Sequence, residues 1–350
     1  MKYNAAVIGL DIAKNVFYAV GKDERGNEVL KRKMSRDQVL EFFANLPAAK
    51  VGIEACATAH YWARAINKLG HEIKLIAGQR VSRRVLGNKN DYRDAKAICD
   101  LRAEPETLYV PINTEAQQDV QMLHRVRQRL VENRTALMLQ TRSLLGEYGL
   151  SFPCGATALR KGLKAVLGGE HHGLSSGALE IFAEMQSQLT LQDEWIDAYD
   201  IRIQRLSRQD EQVVRLMEMP GFGPLNSTAF IAALGDPHHF PSGRHFSANT
   251  GLTPHEHSSG GKQRLFGISK RGDCYLRTLL IHGARSALRC AEGKDDRLLQ
   301  WALKLKETKG FNVAAVALAN KLARVAWALL AHGRRYRAQW INEVEGIAAH

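Results

Sequence analysis

The chain has 350 residues, of which 45% are hydrophobic, so it is long enough to bury more than one core. Its formal net charge of +13 favours a polyanionic partner, nucleic acid before an anionic membrane surface. No uninterrupted apolar run reaches the roughly 20 residues that span a bilayer, and the N-terminus does not resemble a signal peptide, so we expect a cytoplasmic protein with no membrane partner.

The basic charge is concentrated at the two ends of the chain. Residues 1–112 carry a net charge of +6, residues 113–217 of −1 and residues 218–350 of +8. Together with the composition shifts, this pattern predicts an α/β domain over 1–112, a helical or coiled-coil oligomerisation region over 113–217, a mostly helical domain over 218–335 and a tail over 336–350.

Strand and helix patterns alternate in the first domain. Strands are predicted for Ala5 to Ile12, Asn15 to Val20, Glu28 to Met34, Lys50 to Ala55 and Glu72 to Ala77. A helix is predicted after Ser35, an N-cap with Gln38 in the capping-box position, and further helices over His60 to Leu69 and Asn90 to Arg102.

The middle region has leucines every seven residues, at positions 123, 130, 137 and 144, which predicts a helix. A second helical segment is predicted over Ala178 to Met217, and Phe152 to Gly177 is interpreted as a connection or small insert. Packing within one chain and a coiled-coil dimer arm explain the stripes equally well, because Arg127 and Arg134 interrupt the heptad seam. In the last domain, helices are predicted over Leu225 to Leu234 and Phe311 to His332.

Four acids stand out in the first domain. Asp11 and Glu54 each end an apolar strand, where an unpartnered carboxylate is costly, and Asp91 and Asp94 are three residues apart on a predicted helix face. Taken singly, Asp11 could cap a turn, and Asp94 could form a surface ion pair with Arg93 or Lys96. Together they predict a site for one or two hard divalent ions such as Mg²⁺, suited to phosphoryl transfer.

The sequence around these acids resembles the DEDD transposases of bacterial insertion sequences, which are relatives of the Piv-type DNA invertases. The resemblance rests on residues 9–14 (GLDIAK), 52–55 (GIEA) and 88–95 (NKNDYRDA). It implies a RuvC-like, ribonuclease-H-type domain in which Asp11, Glu54, Asp91 and Asp94 hold Mg²⁺ or Mn²⁺. We also expect Arg83, Arg84 and Lys89, close to the acidic pair, to bind nucleic acid.

Two segments of the last domain suggest phosphate binding. The turn Met219 to Pro224 precedes a helix and resembles the hairpin of helix-hairpin-helix modules, with Gly221 and Gly223 allowing close backbone approach to a phosphate; an ordinary turn is an equally good explanation. The segment Gly251 to Arg277 places Ser258 and Ser259 among cations, where a serine could bind phosphate or attack phosphorus. The alternative is an ordinary linker with no role in binding or catalysis. Its cationic side chains are Lys262, Arg264, Lys270, Arg271 and Arg277.

The same transposase family carries a C-terminal pattern of G-L-x-P, S-G, K-x-G and L-R, which is present here at residues 251–254, 259–260, 270–272 and 276–277. The resemblance implies that Ser259 is a nucleophile, although the adjoining Ser258 leaves that choice open by one residue. It further implies a structured guide RNA from the element's noncoding end, DNA as substrate, and a homo-oligomer, dimer or tetramer, in which the serine of one subunit completes the acidic site of another.

Three other functions compete with DNA recombination. A hydrolytic junction resolvase or nuclease would use the same acids with water. An actin-like ATPase or sugar kinase would share the core, but no second glycine-rich phosphate loop is evident in the sequence. A noncatalytic nucleic-acid-binding protein would leave the four acids unexplained. Zinc is not expected, because the five cysteines are scattered singly and neither Cys56 with His60 nor His255 with His257 has a second pair of ligands.

Overall fold

A six-stranded mixed sheet forms the centre of the first of two units, residues 1–114, in the computed structural model. The structure describes residues 4–85, 90–104, 107, 109–170 and 173–339. The sheet order is β3-β2-β1-β4-β5-β6; β1 pairs antiparallel with β2 and parallel with β4. The strands are β1 (Val7–Ile12), β2 (Val16–Lys22), β3 (Glu28–Ser35), β4 (Lys50–Glu54), β5 (Glu72–Ile76) and β6 (Tyr109–Val110).

Four helices accompany this sheet: α1 (Val39–Ala44), α2 (Ala59–Asn67), α3 (Gly78–Arg84) and α4 (Asp91–Ala103). The predicted capping residues precede α1, where the Ser35 amide donates to Gln38 Oε1 at 3.1 Å, although a 3₁₀ turn over Arg36–Gln38 intervenes. The core between sheet and helices is built from side chains such as Phe17, Phe43 and Ile53, all fully buried. The predicted α/β class of this part is confirmed and is consistent with a RuvC-like domain.

The second unit, residues 115–350, is mostly helical, as predicted. Its helices are α5 (Glu115–Gly146), α6 (Ala156–Leu167), α7 (Ser176–Ser207), α8 (Glu211–Met217), α9 (Pro224–Leu234), α10 (Gly243–Asn249), α11 (Cys274–Arg289), α12 (Arg297–Lys309) and α13 (Phe311–Ala331). Its two strands, β7 (Pro254–Glu256) and β8 (Leu265–Ile268), form a hairpin. The predicted division of this part between residues 217 and 218 stays a prediction.

The structure adds detail to two predictions for the middle region. The segment over 152–177, predicted to be a connection or small insert, contains α6, whose Leu159, Leu163 and Val166 are fully buried against α7. The predicted single segment over 178–217 is two helices, because Asp210 begins α8 by accepting hydrogen bonds from the amides of Gln212 and Val213. The glycines on both sides of α6 favoured a loop over a helix in the sequence. The boundary between α7 and α8 at residues 208–210 contains no Gly or Pro that would indicate the end of a helix.

The heptad residues of the middle region pack within one chain. The stripe of α7, Leu189, Ile196 and Ile203, is buried, and α5 lies alongside it. The two arginines that interrupt the seam of α5 pair with α7 carboxylates: Arg127 Nε lies 2.5 Å from Asp200 Oδ1, and Arg134 Nη1 lies 2.9 Å from Asp193 Oδ1. Intramolecular packing therefore explains the α7 stripe, whereas the heptad leucines of α5 are only partly buried and Leu144 is exposed.

The helix α13 is long and apolar enough to cross a bilayer by length and composition alone, among the described residues. In the structure it instead forms part of the core of the second unit, where Leu318, Leu322 and Ala326 are buried. It packs against α10, α11 and α12. The alanines predicted to allow tight helix packing do so here.

Candidate active site

The carboxylates of Asp11 and Glu54 lie at the same edge of the first sheet. Strands β1 and β4 run parallel with Gly9 opposite Gly52 and Leu10 opposite Ile53, so Asp11 and Glu54 follow at adjacent positions. Because side chains alternate along a strand, both acids point to the face on which the two glycines lie. Both side chains are partly exposed.

The helix α4 covers that face because the glycines leave room for it. A Cβ added at Gly9 would lie 2.8 Å from Cys99 Cα, and one added at Gly52 would lie 3.0 Å from Arg102 Cβ. These contacts fix the middle and the end of α4 over β1 and β4. Its first turn, with Asp91 and Asp94, is consequently positioned above the carboxyl ends of the strands.

Three of the four predicted acids come together. One carboxylate oxygen from each of Asp11, Asp91 and Asp94 lies within 4.8 Å of the others, and we call these three residues the acidic group. Asn90 begins the helix, its side chain accepting from the amide of Tyr92 at 2.9 Å, and Asp91 and Asp94 occupy the first turn, where the helix dipole favours negative charge.

Glu54 is the fourth predicted acid and lies next to the acidic group rather than within it. Its carboxylate leans toward the start of α3: Glu54 Oε1 would lie 2.5 Å from a Cβ added at Gly78. Only a glycine at position 78 leaves the carboxylate this space. In this orientation the Glu54 carboxylate is not one of the three that lie within 4.8 Å of one another.

The pKa of the Cys56 thiol is affected by the acids of this region. Burial, followed by the charges of Glu54 and Asp11, raises the pKa of Cys56 above its usual range. The carboxylates that contribute to this raised pKa offer oxygen donors, the ligands that Mg²⁺ and Mn²⁺ prefer.

Two tyrosines anchor the acidic group to the neighbouring strands. Tyr18 is the cross-strand partner of Asp11, and its ring lies 4.8 Å from the ring of Tyr92 in an edge-on contact. Tyr92 stands between Asp91 and Asp94 in the sequence. This contact fixes the first turn of α4 on β2, and no pattern in the sequence indicates it.

The predicted nucleophile Ser259 lies at the tip of the β7–β8 hairpin. Gly260 and Gly261 have φ values of +58° and +76°, and the Lys262 amide donates to the Ser259 carbonyl at 3.1 Å. Two successive positive φ angles define a type I′ turn, which Gly-Gly readily forms. Ser259 is the residue immediately before the turn, and it is exposed.

The two adjacent serines differ in their hydrogen bonds. Ser258 Oγ donates to Glu256 Oε1 at 2.5 Å and accepts from the Arg264 amide at 3.2 Å. The Ser259 hydroxyl makes no hydrogen bond to any residue that the structure describes. Ser258 therefore braces the hairpin, whereas the Ser259 hydroxyl is accessible to a substrate.

The base of the hairpin packs against the helical core of the second unit. Leu252 is buried, and its carbonyl accepts from Asn320 Nδ2 on α13 at 2.9 Å. Gly251, with φ of +73°, lies against the backbone of Arg271, where any side chain would collide. The G-L-x-P segment thus fixes the hairpin base, and the tip with Ser259 extends from it.

The predicted nucleic-acid-binding residues have different surroundings. Lys262 and Arg264 are exposed on the hairpin, Lys270 and Arg271 are exposed beside its base, and Arg83 and Arg84 are exposed at the end of α3. Arg84 also pairs with Glu104 at 2.9 Å. Lys89 lies outside the described residues.

Of three further predicted contacts, two have structural roles and one is accessible. Arg277 is buried and donates to the carbonyls of Thr250 at 3.0 Å and Arg271 at 3.3 Å, so it holds the loop instead of facing solvent. Gly221, with φ of +79°, packs against the backbone of Gly283. Gly223 begins α9 and faces open space, which leaves the backbone there accessible.

Two family models match this chain. A DEDD transposase model of the IS110 group matches residues 8–150, and the model described as the transposase IS116/IS110/IS902 family matches residues 213–299. The first span contains all four predicted acids, and the second contains Ser259.

Curated relatives match over nearly the whole chain. A probable family 20 transposase of Pseudomonas aeruginosa is 45% identical over 335 residues, covering 95% of this chain and 99% of the relative. The transposase for insertion sequence element IS1111A of Coxiella burnetii is 40% identical, covering 95% of this chain and 91% of the relative. The transposase for IS1328 of Yersinia enterocolitica is 38% identical, covering 94% and 98%.

Proposed function

Since the chain belongs to the IS110 family of insertion-sequence transposases, which cut and rejoin DNA, we propose that the acidic group and Glu54 bind Mg²⁺ or Mn²⁺ and that Ser259 is the nucleophile. The observation that carries the proposal is the convergence of Asp11, Asp91 and Asp94 within 4.8 Å. Three carboxylates this close repel one another, and a divalent cation among them removes that repulsion.

The donor chemistry fits such an ion. Asp11 and Asp94 are partly buried and held by the strand and helix that carry them, while Asp91 is exposed toward solvent and substrate. Glu54 would complete the set after rotating from Gly78. When bound, the metal would supply positive charge for a phosphodiester and its leaving oxygen.

Ser259 would perform the covalent step. Its Oγ attacks phosphorus and forms a bond to it, and the Oγ proton passes to solvent. The bond from phosphorus to the sugar oxygen breaks, and that oxygen takes a proton from solvent. The phosphoserine conserves the energy of the phosphodiester, so attack by a sugar hydroxyl on it rejoins DNA. The exposed cations Lys262 and Arg264 are placed to bind phosphate beside Ser259.

The remaining elements of the proposal come from the family. A structured guide RNA would select the DNA sites, and the protein would act in the cytoplasm as a dimer or tetramer, the serine of one subunit acting at the acidic group of another. The net charges of +6 over residues 1–112 and +8 over residues 218–350 support two nucleic-acid-binding parts.

The covalent intermediate provides the test. Purified protein is incubated with element-end DNA, the element's noncoding RNA and Mg²⁺, then denatured and analysed for protein-linked DNA. We expect an adduct with the wild type and with Ser258→Ala, and none with Ser259→Ala. An adduct undiminished in Ser259→Ala would refute the assignment, and free ends formed equally well by wild type and Ser259→Ala would indicate a hydrolytic nuclease.

A further inference from the structure

Two lysines on the edge strand β3 lie over the tyrosines that flank the acidic group. Lys31 Nζ is 4.6 Å from the centre of the Tyr92 ring, and Lys33 Nζ is 5.8 Å from the centre of the Tyr18 ring. We propose that these four residues, here called the tyrosine–lysine ledge, bind the phosphodiester backbone of the DNA strand that is cut. This inference rests on the proposed function, because it concerns the path of the substrate of the acidic group.

The strand register places the ledge beside the acidic group. Asp11 pairs with Tyr18 across β1 and β2, and Tyr18 pairs with Lys33 across β2 and β3, so the three side chains form a row on one face. Lys31 is two residues along the same strand and therefore on the same face. Both lysines are exposed.

The two ammonium groups are not neutralised. Neither Lys31 nor Lys33 forms an ion pair with any carboxylate that the structure describes. Nearby cations of the same unit do have such partners: Lys22 pairs with Asp100, and Lys96 pairs with Glu28 at 3.6 Å. The ledge is thus a place where positive charge is held on aromatic faces and left available to an external anion.

The spacing suits a nucleic-acid strand. Adjacent strands are about 4.8 Å apart, so β3 lies about 10 Å from β1, a distance that roughly two nucleotides of a DNA strand span. A strand cut at the acidic group and running across β2 would pass its flanking phosphates over Lys33 and Lys31. The tyrosines restrict the lysine side chains, which lowers the entropy lost when a phosphate binds.

Lysines on edge strands also serve to prevent sheets from aggregating, which is the plain alternative. The alternative predicts no effect on DNA binding. It also does not require the ammonium groups to lie on Tyr18 and Tyr92, which are partly buried beside the acidic group.

The test measures binding without cleavage. The full-length protein carries Asp11→Asn, and its affinity for a fluorescein-labelled DNA duplex is measured by anisotropy over a series of salt concentrations in EDTA. Adding Lys31→Gln and Lys33→Gln should lower the slope of log affinity against log salt by about two, one for each phosphate contact. Lys50→Gln, an exposed lysine at the opposite end of the sheet, is the matched control and should leave the slope unchanged.

A second arm locates the contact. A methylphosphonate placed about two nucleotides from the cut should weaken binding by the Asp11→Asn protein with both lysines intact, but not binding by the protein that also carries Lys31→Gln and Lys33→Gln. An unchanged slope in the double variant, or an equal change in Lys50→Gln, would overturn the proposal that the tyrosine–lysine ledge binds the DNA backbone. If the slope falls for an RNA of the same sequence and not for DNA, the ledge binds the guide and the DNA assignment is wrong. Because no cleavage is measured, these outcomes are independent of whether Ser259 is the nucleophile.

Discussion

Gly9 lies directly opposite Gly52 on the parallel strands β1 and β4, and two residues beyond each glycine a carboxylate follows. The pair lets α4 lie close to the sheet, with the backbone of Cys99 over one glycine and the side chain of Arg102 over the other. The acidic group depends on this close packing, because Asp91 and Asp94 lie near Asp11 only if α4 packs against β1 and β4.

Substituting these glycines should therefore damage the site in a graded way. The atoms nearest a new Cβ at Gly9 belong to the α4 backbone, whereas those near Gly52 are side-chain atoms of Arg102, Ile98 and Ile76 at 3.0 to 3.2 Å. We expect Gly9→Ala to cost about 3 kcal/mol of unfolding free energy and to abolish DNA cleavage, and Gly52→Ala to cost about 1 kcal/mol and retain some cleavage. Denaturant unfolding and a cleavage assay check both, and equal effects of the two substitutions would contradict the packing argument.

Metal binding should stabilise the first unit. Without a cation, the three carboxylates of the acidic group repel one another, so we expect Mn²⁺ at 100 times its dissociation constant to add about 2.7 kcal/mol to the unfolding free energy. Asp94→Asn should remove that gain without lowering stability in EDTA, because it also removes repulsion. Thermal unfolding with Mn²⁺ and with EDTA provides the measurement. Asp100→Asn, on the same helix but paired with Lys22, is the control and should keep the metal response.

The turn at the hairpin tip should tolerate only residues that accept positive φ. Gly260 has φ of +58°, and Asn-Gly is a favoured type I′ pair, so Gly260→Asn should retain DNA cleavage while Gly260→Val should reduce it at least tenfold. The melting temperature should hardly change, because residues 255–267 are exposed. Full activity in Gly260→Val would show that the presentation of Ser259 does not depend on the turn.

Much of the first unit could be predicted from sequence. Its first five strands and the helices α2 and α4 follow the predicted segments to within a few residues, because each has a clear apolar period and each helix has boundary signals. All four acids were predicted to lie together, because close carboxylates in a basic domain indicate a divalent cation; Asp11, Asp91 and Asp94 do so, and Glu54 is not within that group.

Other features depend on partners far away in the chain. The contact between Tyr18 and Tyr92 joins residues 74 positions apart, and no local pattern marks it. The turn of Glu54 toward Gly78 depends on where α3 begins. Arg277 has the composition of a surface cation, and only the carbonyls of Thr250 and Arg271 around it show that it is buried.

A buried hydrogen-bond chain in the second unit was also missed. Arg127 donates to Asp200 and contacts Tyr275; the Tyr275 hydroxyl lies 2.9 Å from His124 Nδ1, and His124 Nε2 lies 3.0 Å from Thr228 Oγ1. Thr228 Oγ1 donates to the Pro224 carbonyl, so it must accept from His124 Nε2–H. His124 Nδ1 then accepts from Tyr275, and the ring is neutral.

This chain makes stability depend on pH. Burial, aided by the charge of Arg127, lowers the pKa of His124 from 6.5 to about 4. The unfolded chain therefore binds a proton before the folded one as pH falls, and stability present above about pH 6.5 is lost toward about pH 4. We expect a loss of about 2 kcal/mol between pH 7 and pH 5 that is absent in His124→Gln, measured by denaturant unfolding. An identical pH dependence in both proteins would contradict the burial of a neutral ring.

We propose that Asp11, Asp91 and Asp94 hold a divalent cation, and an anomalous difference map from crystals of the full chain grown with Mn²⁺ tests this directly. We expect a peak within coordination distance of a carboxylate oxygen from each of the three, absent from crystals of Asp11→Asn. A protein that cuts DNA with Mn²⁺ but shows its manganese elsewhere, or shows the same peak in Asp11→Asn, would contradict it.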